Sequence, residues 1–135
     1  YKKMKKKRVL VDMSTTILHH GHIRLLKKAK KYGKVLVALT TDIEVKRFKG
    51  YLPELNFKSR KEIISSIKYV DKVLPSKAKI TNNFLRKNKI DIIIRGDDYK
   101  KEKFNIKTII FPRTKNISTR LIRKKAASIV KNLKK

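Results

Sequence analysis

The chain contains no cysteine and no tryptophan, and only 10 of its 135 residues are acidic. Without cysteine it can form neither a disulfide nor a thiolate metal site, which fits the reducing cytoplasm. Residues 1–8 are basic and lack the apolar core of a signal peptide, and no stretch approaches the roughly 20 apolar residues of a membrane span. We therefore predict a cytoplasmic protein that has no membrane partner.

Positive charge is what the chain has in excess, with 39 lysines and arginines and a formal net charge of +29. A charge of this size attracts polyanions, and nucleic acid is one of them. The basic residues are nevertheless spread along the whole chain, and no cluster of aromatic residues accompanies them for base stacking. Lysine, isoleucine and asparagine are all abundant, so we favour a compositional bias over a nucleic-acid site and keep the second interpretation open.

Short apolar runs recur along the chain between helical patterns, and each run is continuous rather than alternating. Such runs are typical of parallel strands that are buried on both faces. We predict an α/β fold, a five-stranded parallel sheet with helices on both faces, as a single domain at residues 9–135 after a basic segment at residues 1–8. The predicted strands are Val9–Val11, Val35–Leu39, Val73–Leu74, Ile92–Ile94 and Ile109–Phe111.

The segments between these strands carry helix signals. A helix follows the first strand and ends near Gly33, a residue type common just after helices. Residues 41–57 are polar and read as a long loop, which in a compact domain is usually functional or mobile. Ser59 and Glu62 have the spacing of a capping box and predict the start of the next helix. Two further helices are predicted to begin at Thr81 and Ser118.

Unusual polar residues follow three of the predicted strands. A histidine cluster at residues 19–22 follows the first, Asp97 and Asp98 follow the fourth, and Arg113 and Ser118 follow the fifth. Ligands of parallel α/β sheets bind outside the carboxyl ends of the strands. We therefore expect these three segments to converge on one site.

The segment His19-His20-Gly21-His22 suits a phosphate ligand. His19 and His22 are three residues apart at a predicted helix start, so they can face the same side. The helix N-terminus offers free N–H groups and a partial positive charge, and Gly21 lets a ligand approach the backbone. An ordinary polar turn is the alternative, whereas a zinc site would need more ligands than two histidines.

Other charged residues extend this hypothesis. Lys49 stands beside a glycine in the predicted loop and can reach a phosphate as a mobile charge. Arg60 lies in a first helical turn, an unfavourable place for a cation, which suggests a ligand for it. Asp97 and Asp98 can hold a ribose, a base amino group or Mg²⁺, or form a simple turn. The guanidinium of Arg113, with the helix N-terminus that follows it, suits a triphosphate.

Together the motifs resemble those of the HxGH-type cytidylyltransferases, the group that contains the glycerol-3-phosphate, choline-phosphate and ethanolamine-phosphate enzymes. His19–His22 resembles the HxGH signature, and Phe48–Gly50 is similar to the lysine loop of the choline-phosphate members. Gly96–Tyr99 resembles their GDD-aromatic element, and Arg113–Thr119 is similar to their RTxGIST motif. The four motifs occur in the family order, and the resemblance covers residues from about Val9 to about Arg123.

The resemblance implies a Rossmann-like nucleotidyltransferase fold and the transfer of CMP from CTP to an acceptor phosphate. In the implied mechanism the acceptor attacks the α-phosphorus in line and pyrophosphate leaves, with Mg²⁺ held mainly by the phosphates. Family members are usually homodimers, so the resemblance also implies a homodimer. The implied catalytic residues are His19, His22, Lys49 and Arg113. The implied nucleotide-binding residues are Met13, Ser14, Thr15, Gly21, Gly96, Asp97, Asp98, Thr114, Ile117, Ser118 and Thr119. Acceptor-binding roles fall on Lys46, Arg60 and Tyr99.

The first motif departs from the family pattern. Where the family usually has Gly-Thr-Phe-Asp, this chain has Met13-Ser14-Thr15-Thr16, which resembles the domains that accompany phosphonate-biosynthesis enzymes. This departure extends the expected acceptors from phosphates to phosphonates and removes an aspartate from the site. Asn116 replaces the usual glycine of the last motif, a mild change because asparagine tolerates positive φ.

Two alternatives remain beside the CTP-dependent transfer. The first is an adenylyltransferase of the same superfamily, which nucleotide selectivity distinguishes. The second is a basic nucleic-acid-binding domain with a degenerate site, which predicts binding that weakens steeply with salt.

Overall fold

A computed structural model describes residues 5–97 and 102–133. Two residues with predicted site roles, Asp98 and Tyr99, lie outside the described residues. The described part forms five strands and five helices. In chain order they are β1 (Arg8–Met13), α1 (His20–Lys30), β2 (Lys34–Thr40), α2 (Asp42–Lys49), α3 (Phe57–Ser65), β3 (Lys72–Ser76), α4 (Asn82–Lys87), β4 (Ile92–Gly96), β5 (Lys107–Phe111) and α5 (Thr119–Leu133).

The five strands form one parallel sheet in the order β3-β2-β1-β4-β5. The predicted α/β class and five-stranded parallel sheet are confirmed. Beyond β1 the order reverses, since β2 and β3 lie on one side of it and β4 and β5 on the other. This switch point opens a crevice at the carboxyl ends of β1 and β4, where Met13 and Gly96 lie.

Both faces of the sheet are buried, which explains why the strands read as continuous apolar runs. Val9 and Val11 point to one face, where Leu26 of α1 and Ile64 of α3 pack on them. The other face is covered by a second cluster that includes Leu10, Leu36, Ile93 and Leu85 of α4. Each fully buried leucine or isoleucine contributes about 1.5–3 kcal/mol, so these two clusters supply most of the driving force for folding.

The predicted loop at residues 41–57 is wrong in its first half, which forms α2. This helix is stabilised by charges that complement its dipole, with Asp42 and Glu44 in the first turn and lysine or arginine in the last. Gly50 ends it in the left-handed region at φ 82°. Only Val45 gives it a buried apolar side chain, so hydrophobic periodicity could not reveal it.

The next helix starts earlier than predicted. Asn56, rather than Ser59, is its N-cap, because the Asn56 side chain accepts a hydrogen bond from the Ser59 N–H at 2.9 Å. The predicted caps of α4 and α5 are confirmed. The Thr81 hydroxyl accepts from the Phe84 N–H, and the Ser118 hydroxyl accepts from the Leu121 N–H, both at 3.1 Å.

The last helix differs from the others in how it is attached. Along its described length α5 has no buried residue. Four of its large apolar side chains, Leu121, Ile129, Val130 and Leu133, are at least half-exposed, and Ile122 is partly buried. No helix in the described ranges is both long enough and apolar enough to cross a membrane.

Candidate active site

A cavity of about 320 Å³ lies at the carboxyl ends of β1 and β4, where the sheet order reverses. Its walls are the loop after β1, the first turns of α1, the end of α2, and the segment that leads from β5 into α5. Two of the three polar segments singled out in the sequence, those after β1 and β5, meet at this cavity. Of the described residues of the third segment, after β4, Asp97 does not reach the wall, and only the strand's last residue, Gly96, lies on it. Predicted site residues on the cavity wall are Met13, Ser14, Thr15, His19, Gly21, His22, Lys49, Gly96, Arg113, Thr114, Ile117, Ser118 and Thr119.

Three described residues with predicted roles do not line this cavity. Asp97 follows the end of β4 and Lys46 lies on α2, both outside the cavity wall. Arg60 is 2% exposed and lies in the protein interior.

The buried Arg60 guanidinium is fully used by the protein. It donates to the backbone carbonyls of Ser14 at 2.7 Å, Thr40 at 2.9 Å and Leu55 at 3.0 Å. It also forms an ion pair with Asp42, with Nη2 2.6 Å from Oδ1. The cation in this unfavourable helical position is therefore held by acceptors of the protein itself, which gives it a structural role. Its acceptor-binding role stays a prediction.

His19 and His22 cap their own helix. The Gly21 N–H donates to His19 Nδ1 at 3.0 Å, and the His19 N–H donates to His22 Nδ1 at 3.1 Å. The two hydrogen bonds form a reciprocal capping box, so both imidazoles satisfy backbone donors at the start of α1. Their rings lie 3.9 Å apart between centroids.

The capping box also determines which nitrogen of each imidazole carries the hydrogen. Because Nδ1 accepts in both rings, a neutral ring must hold its hydrogen on Nε2. Burial, together with the charges of His19, Arg113 and Lys49, lowers the pKa of His22 to about 4. Burial and the charges of His20 and Arg113 also lower the pKa of His19. At neutral pH the two imidazoles on the cavity wall are therefore uncharged, and each carries its N–H on Nε2.

Gly21 is required by close contact rather than by backbone conformation. A Cβ atom there would lie 2.8 Å from Cε1 and 2.9 Å from Nδ1 of His19. A side chain would push the His19 ring away from the position in which it caps the helix. The glycine between the histidines therefore preserves the arrangement of both imidazoles.

The turn after β1 holds an unusual threonine. Thr15 adopts φ 41°, a left-handed conformation that is rare for a β-branched residue. It is 5% exposed, lies on the cavity wall, and its hydroxyl has no hydrogen-bond partner among the described residues. Buried polar groups are nearly always hydrogen-bonded, so this hydroxyl is suited to a polar ligand in the cavity.

Cationic side chains surround the cavity. Lys49 extends from the last turn of α2, and its ammonium donates to the Ser14 hydroxyl at 2.9 Å. Arg113 lies on the cavity wall in the segment between β5 and α5. Sequence reasoning missed three further cations on the wall, Arg24, Lys28 and Arg120. The first two lie three and seven residues after Gly21, so helical spacing was a usable signal for them in spite of the many other lysines.

A second missed feature lies beneath the cavity. Arg95 of β4 and Asp12 of β1 form a bidentate ion pair, with both N–O distances 2.9 Å, and their side chains are 2% and 7% exposed. Arg95 also pairs with Glu102. The partners are 83 residues apart in sequence, so no local pattern reveals the pair. It holds together the two strands whose ends form the switch point.

The segment between β5 and α5 completes the wall. Asn116 adopts φ 63°, which confirms that asparagine here takes the conformation usually left to glycine. Ser118 caps α5, and the Thr119 hydroxyl donates to the Ile17 carbonyl at 3.2 Å across 102 residues of sequence. The N-terminus of α5 thus lies against the histidine-bearing loop, and two helix N-termini face one cavity.

A cavity lined by cations and by two helix N-termini is chemically suited to the phosphates of a nucleotide, and comparison with known proteins gives the family. The model of the family described as cytidylyltransferase-like matches residues 16–125. The chain belongs to this family and is a nucleotidyltransferase.

Individual relatives give the same picture. Glycerol-3-phosphate cytidylyltransferase from Bacillus subtilis is 32% identical over 133 residues, covering 91% of this chain and 99% of the relative. An FAD synthase from Pyrococcus horikoshii is 35% identical over 96 residues, covering 70% of this chain and 65% of the relative. Among solved structures, the lipopolysaccharide core biosynthesis protein from Thermoplasma volcanium has a TM-score of 0.70 at 28% identity, covering 80% of this chain and 98% of that structure's chain.

Proposed function

We propose that this nucleotidyltransferase transfers CMP from CTP to a small acceptor that carries a phosphate or phosphonate group, and releases pyrophosphate. The observation that carries the proposal is the pair of imidazoles, His19 and His22, whose Nδ1 atoms accept backbone hydrogens on the wall of a cavity lined by cations. The coverage of nearly the whole chain by a glycerol-3-phosphate cytidylyltransferase supports the choice of CTP.

The histidines are assigned to donate hydrogen bonds to the oxygens of the reacting α-phosphate. During in-line attack, negative charge builds on the oxygens of the α-phosphate, and donors already fixed in place stabilise that charge without reorganising. The capping box holds both rings, so their Nε2–H groups are fixed before the nucleotide binds. Catalysis of this kind works by positioning and by charge stabilisation, with no covalent intermediate on the protein.

The remaining phosphates and the acceptor are assigned to the cationic wall. We place the β- and γ-phosphates at the N-terminus of α5, where Ser118, Thr119 and Arg113 lie and the helix dipole favours anions. Lys49 stands at the Ser14 side of the cavity, near the turn that bears the unpartnered Thr15 hydroxyl. We assign this side to the anionic group of the acceptor and to the phosphate it attacks.

Mg²⁺ is proposed to enter with the nucleotide. Within residues 5–97 and 102–133, no group of three or more histidine, aspartate or glutamate side chains could hold a metal ion. The carboxylate of Asp12, on the cavity wall, is engaged by Arg95. The phosphates themselves are the oxygen ligands that Mg²⁺ prefers, and the bound ion would neutralise part of their charge.

An adenylyl transfer is the second candidate, since the FAD synthase is similar over 70% of the chain. Pyrophosphate release should be measured with CTP or ATP, each against glycerol 3-phosphate, phosphocholine and an aminoalkyl phosphonate. We expect turnover with CTP and with one class of acceptor. In a parallel thermal titration, CTP at about 100 times its dissociation constant should stabilise the protein by about 2.7 kcal/mol.

The controls separate the alternatives. Turnover with ATP in preference to CTP would replace the proposal by the adenylyl transfer. Equal stabilisation by both nucleotides that disappears with added salt, without turnover, would mean that net charge rather than a site binds them.

A further inference from the structure

One arginine of α5 contacts two other segments that approach the cavity. Arg123 donates through Nε and Nη2 to the two carboxylate oxygens of Glu54, each at 2.6 Å. Its Nη1 donates to the Tyr51 hydroxyl at 2.6 Å, and Nη2 also donates to the Thr16 hydroxyl at 2.9 Å. We call these four residues the Arg123 clamp.

The geometry of the Arg123 clamp is that of a strong surface interaction. The guanidinium–carboxylate contact is bidentate, which adds direction as well as energy. The guanidinium carbon also lies 4.5 Å from the centroid of the Tyr51 ring. The hydrogen bond from Arg123 holds the pKa of Glu54 below its usual range. Thr16, the innermost partner, is only 2% exposed.

Each partner belongs to a segment that carries cavity residues. Tyr51 lies two residues after Lys49, and only Gly50 separates them. Thr16 lies two residues after Ser14, whose hydroxyl accepts a hydrogen bond from the Lys49 ammonium. Arg123 itself lies one turn after Thr119 at the start of α5. The clamp therefore ties the lysine-bearing segment, the turn after β1 and the N-terminus of α5 to one another.

The clamp matters because little else attaches α5 to the domain. No residue of α5 is buried along its described length, in contrast to the helices that cover the sheet. Besides the clamp, this helix makes a long-range polar contact through the Thr119 hydroxyl, which donates to the Ile17 carbonyl. The Arg123 clamp is thus placed to set the distance between Lys49 and the N-terminus of α5.

We propose that Arg123 is a positioning residue for the transfer reaction and acts through Lys49. The guanidinium touches no part of the cavity wall, but it holds the Lys49 segment against the helix that receives the triphosphate. Thr16 stands where the family usually has aspartate, and Glu54 supplies a carboxylate to the same guanidinium from another segment. This inference rests on the proposed function.

The test is whether the effect of replacing Arg123 depends on the presence of Lys49. In the otherwise unchanged protein, Arg123→Gln should lower kcat/KM for CTP about tenfold, the size expected for residues coupled through a shared network. In a Lys49→Gln background the same change should cost less than about twofold, because the group that the clamp positions is already lost. Arg123→Lys should not restore activity, since an ammonium cannot form the bidentate contact.

Matched variants control for charge and for folding. Lys124→Gln removes the same charge from the neighbouring exposed position of α5 and should leave kcat/KM unchanged. Glu54→Gln should reproduce the Arg123→Gln defect, whereas Glu62→Gln, at an exposed acid, should not. A loss in Arg123→Gln that equals that of Lys124→Gln, or that is equally large with and without Lys49, would overturn the proposal.

Failure of the proposed function is a separate outcome. If the unchanged protein turns over no nucleotide, the same variants are compared by CTP-induced thermal stabilisation, which needs no chemistry. Stabilisation weakened by Arg123→Gln only when Lys49 is present would support the clamp. Stabilisation that Arg123→Gln leaves unchanged would overturn it.

Discussion

The two helices that begin at the cavity, α1 and α5, present their N-termini to the same space but are anchored in different ways. α1 is anchored by Leu26 and Ala29, which are completely buried against the sheet, and its start is closed by the two histidines. α5 has no buried residue and is attached through Thr119 and Arg123. One wall of the site is therefore fixed by apolar packing, and the other by polar contacts that salt and substitution can weaken.

The largest effect should come from the α1 wall. We expect His22→Asn to lower kcat by about 10²–10³-fold, the cost of losing one preorganised donor to a developing oxyanion. Asparagine retains an acceptor for the His19 N–H, so the helix should still be capped. Steady-state kinetics measure the loss, and circular dichroism checks the fold. His20→Asn, in the same tetrapeptide but off the cavity wall, is the matched control, and an active His22→Asn enzyme would refute the assigned role.

The difference in anchoring should appear directly in stability. Leu26→Ala deletes a completely buried side chain and should cost about 2–5 kcal/mol of the free energy of unfolding. Val130→Ala, on α5, removes a side chain that is 52% exposed and should cost less than about 0.5 kcal/mol. Urea denaturation of both variants tests the comparison. Similar losses in the two would show that α5 is packed as firmly as α1.

Lowering the pH should reduce the free energy of unfolding through protonation of His22, which lies at the start of α1. Its pKa is about 4 in the folded protein against an ordinary value of 6.5, so the unfolded chain binds the proton more readily. Stability should therefore fall as pH drops from 6.5 towards 4, by up to about 3 kcal/mol from this residue, and change little further below that. Denaturant titrations at pH 7, 5.5 and 4 should show a smaller decline in His22→Asn. An identical decline in both proteins would contradict the lowered pKa.

What could be predicted from the sequence was the part of the molecule governed by local pattern. The five strands are continuous apolar runs because both faces of the sheet are covered, and the caps at Thr81 and Ser118 depend on residues only three positions away. The site segments follow strands, and parallel topology brings such segments together. Asn116, at a position where the resembled family has glycine, was expected to tolerate a positive φ, and it adopts one.

Several of the features that were missed depend on partners far away in the chain. Arg60 looked like a ligand-binding cation because no residue near it in sequence shows that its guanidinium donates to the Thr40 carbonyl and the Asp42 carboxylate. The pair of Asp12 and Arg95 and the Arg123 clamp join residues 69 to 107 positions apart. These contacts form only in the tertiary structure, so composition and periodicity could not predict them.

The capping box at the start of α1 sets a condition on the second substrate. His19 and His22 both use Nδ1 to accept backbone hydrogens, so their Nε2 atoms already carry a proton and cannot remove one from an incoming group. An alcohol would have to lose its proton to attack phosphorus, whereas a phosphate or phosphonate oxygen is already ionised at neutral pH. Under the proposed function, the two histidines would therefore select acceptors by acidity: the nucleophile would have to arrive as an anion, which the cations on the cavity wall would attract.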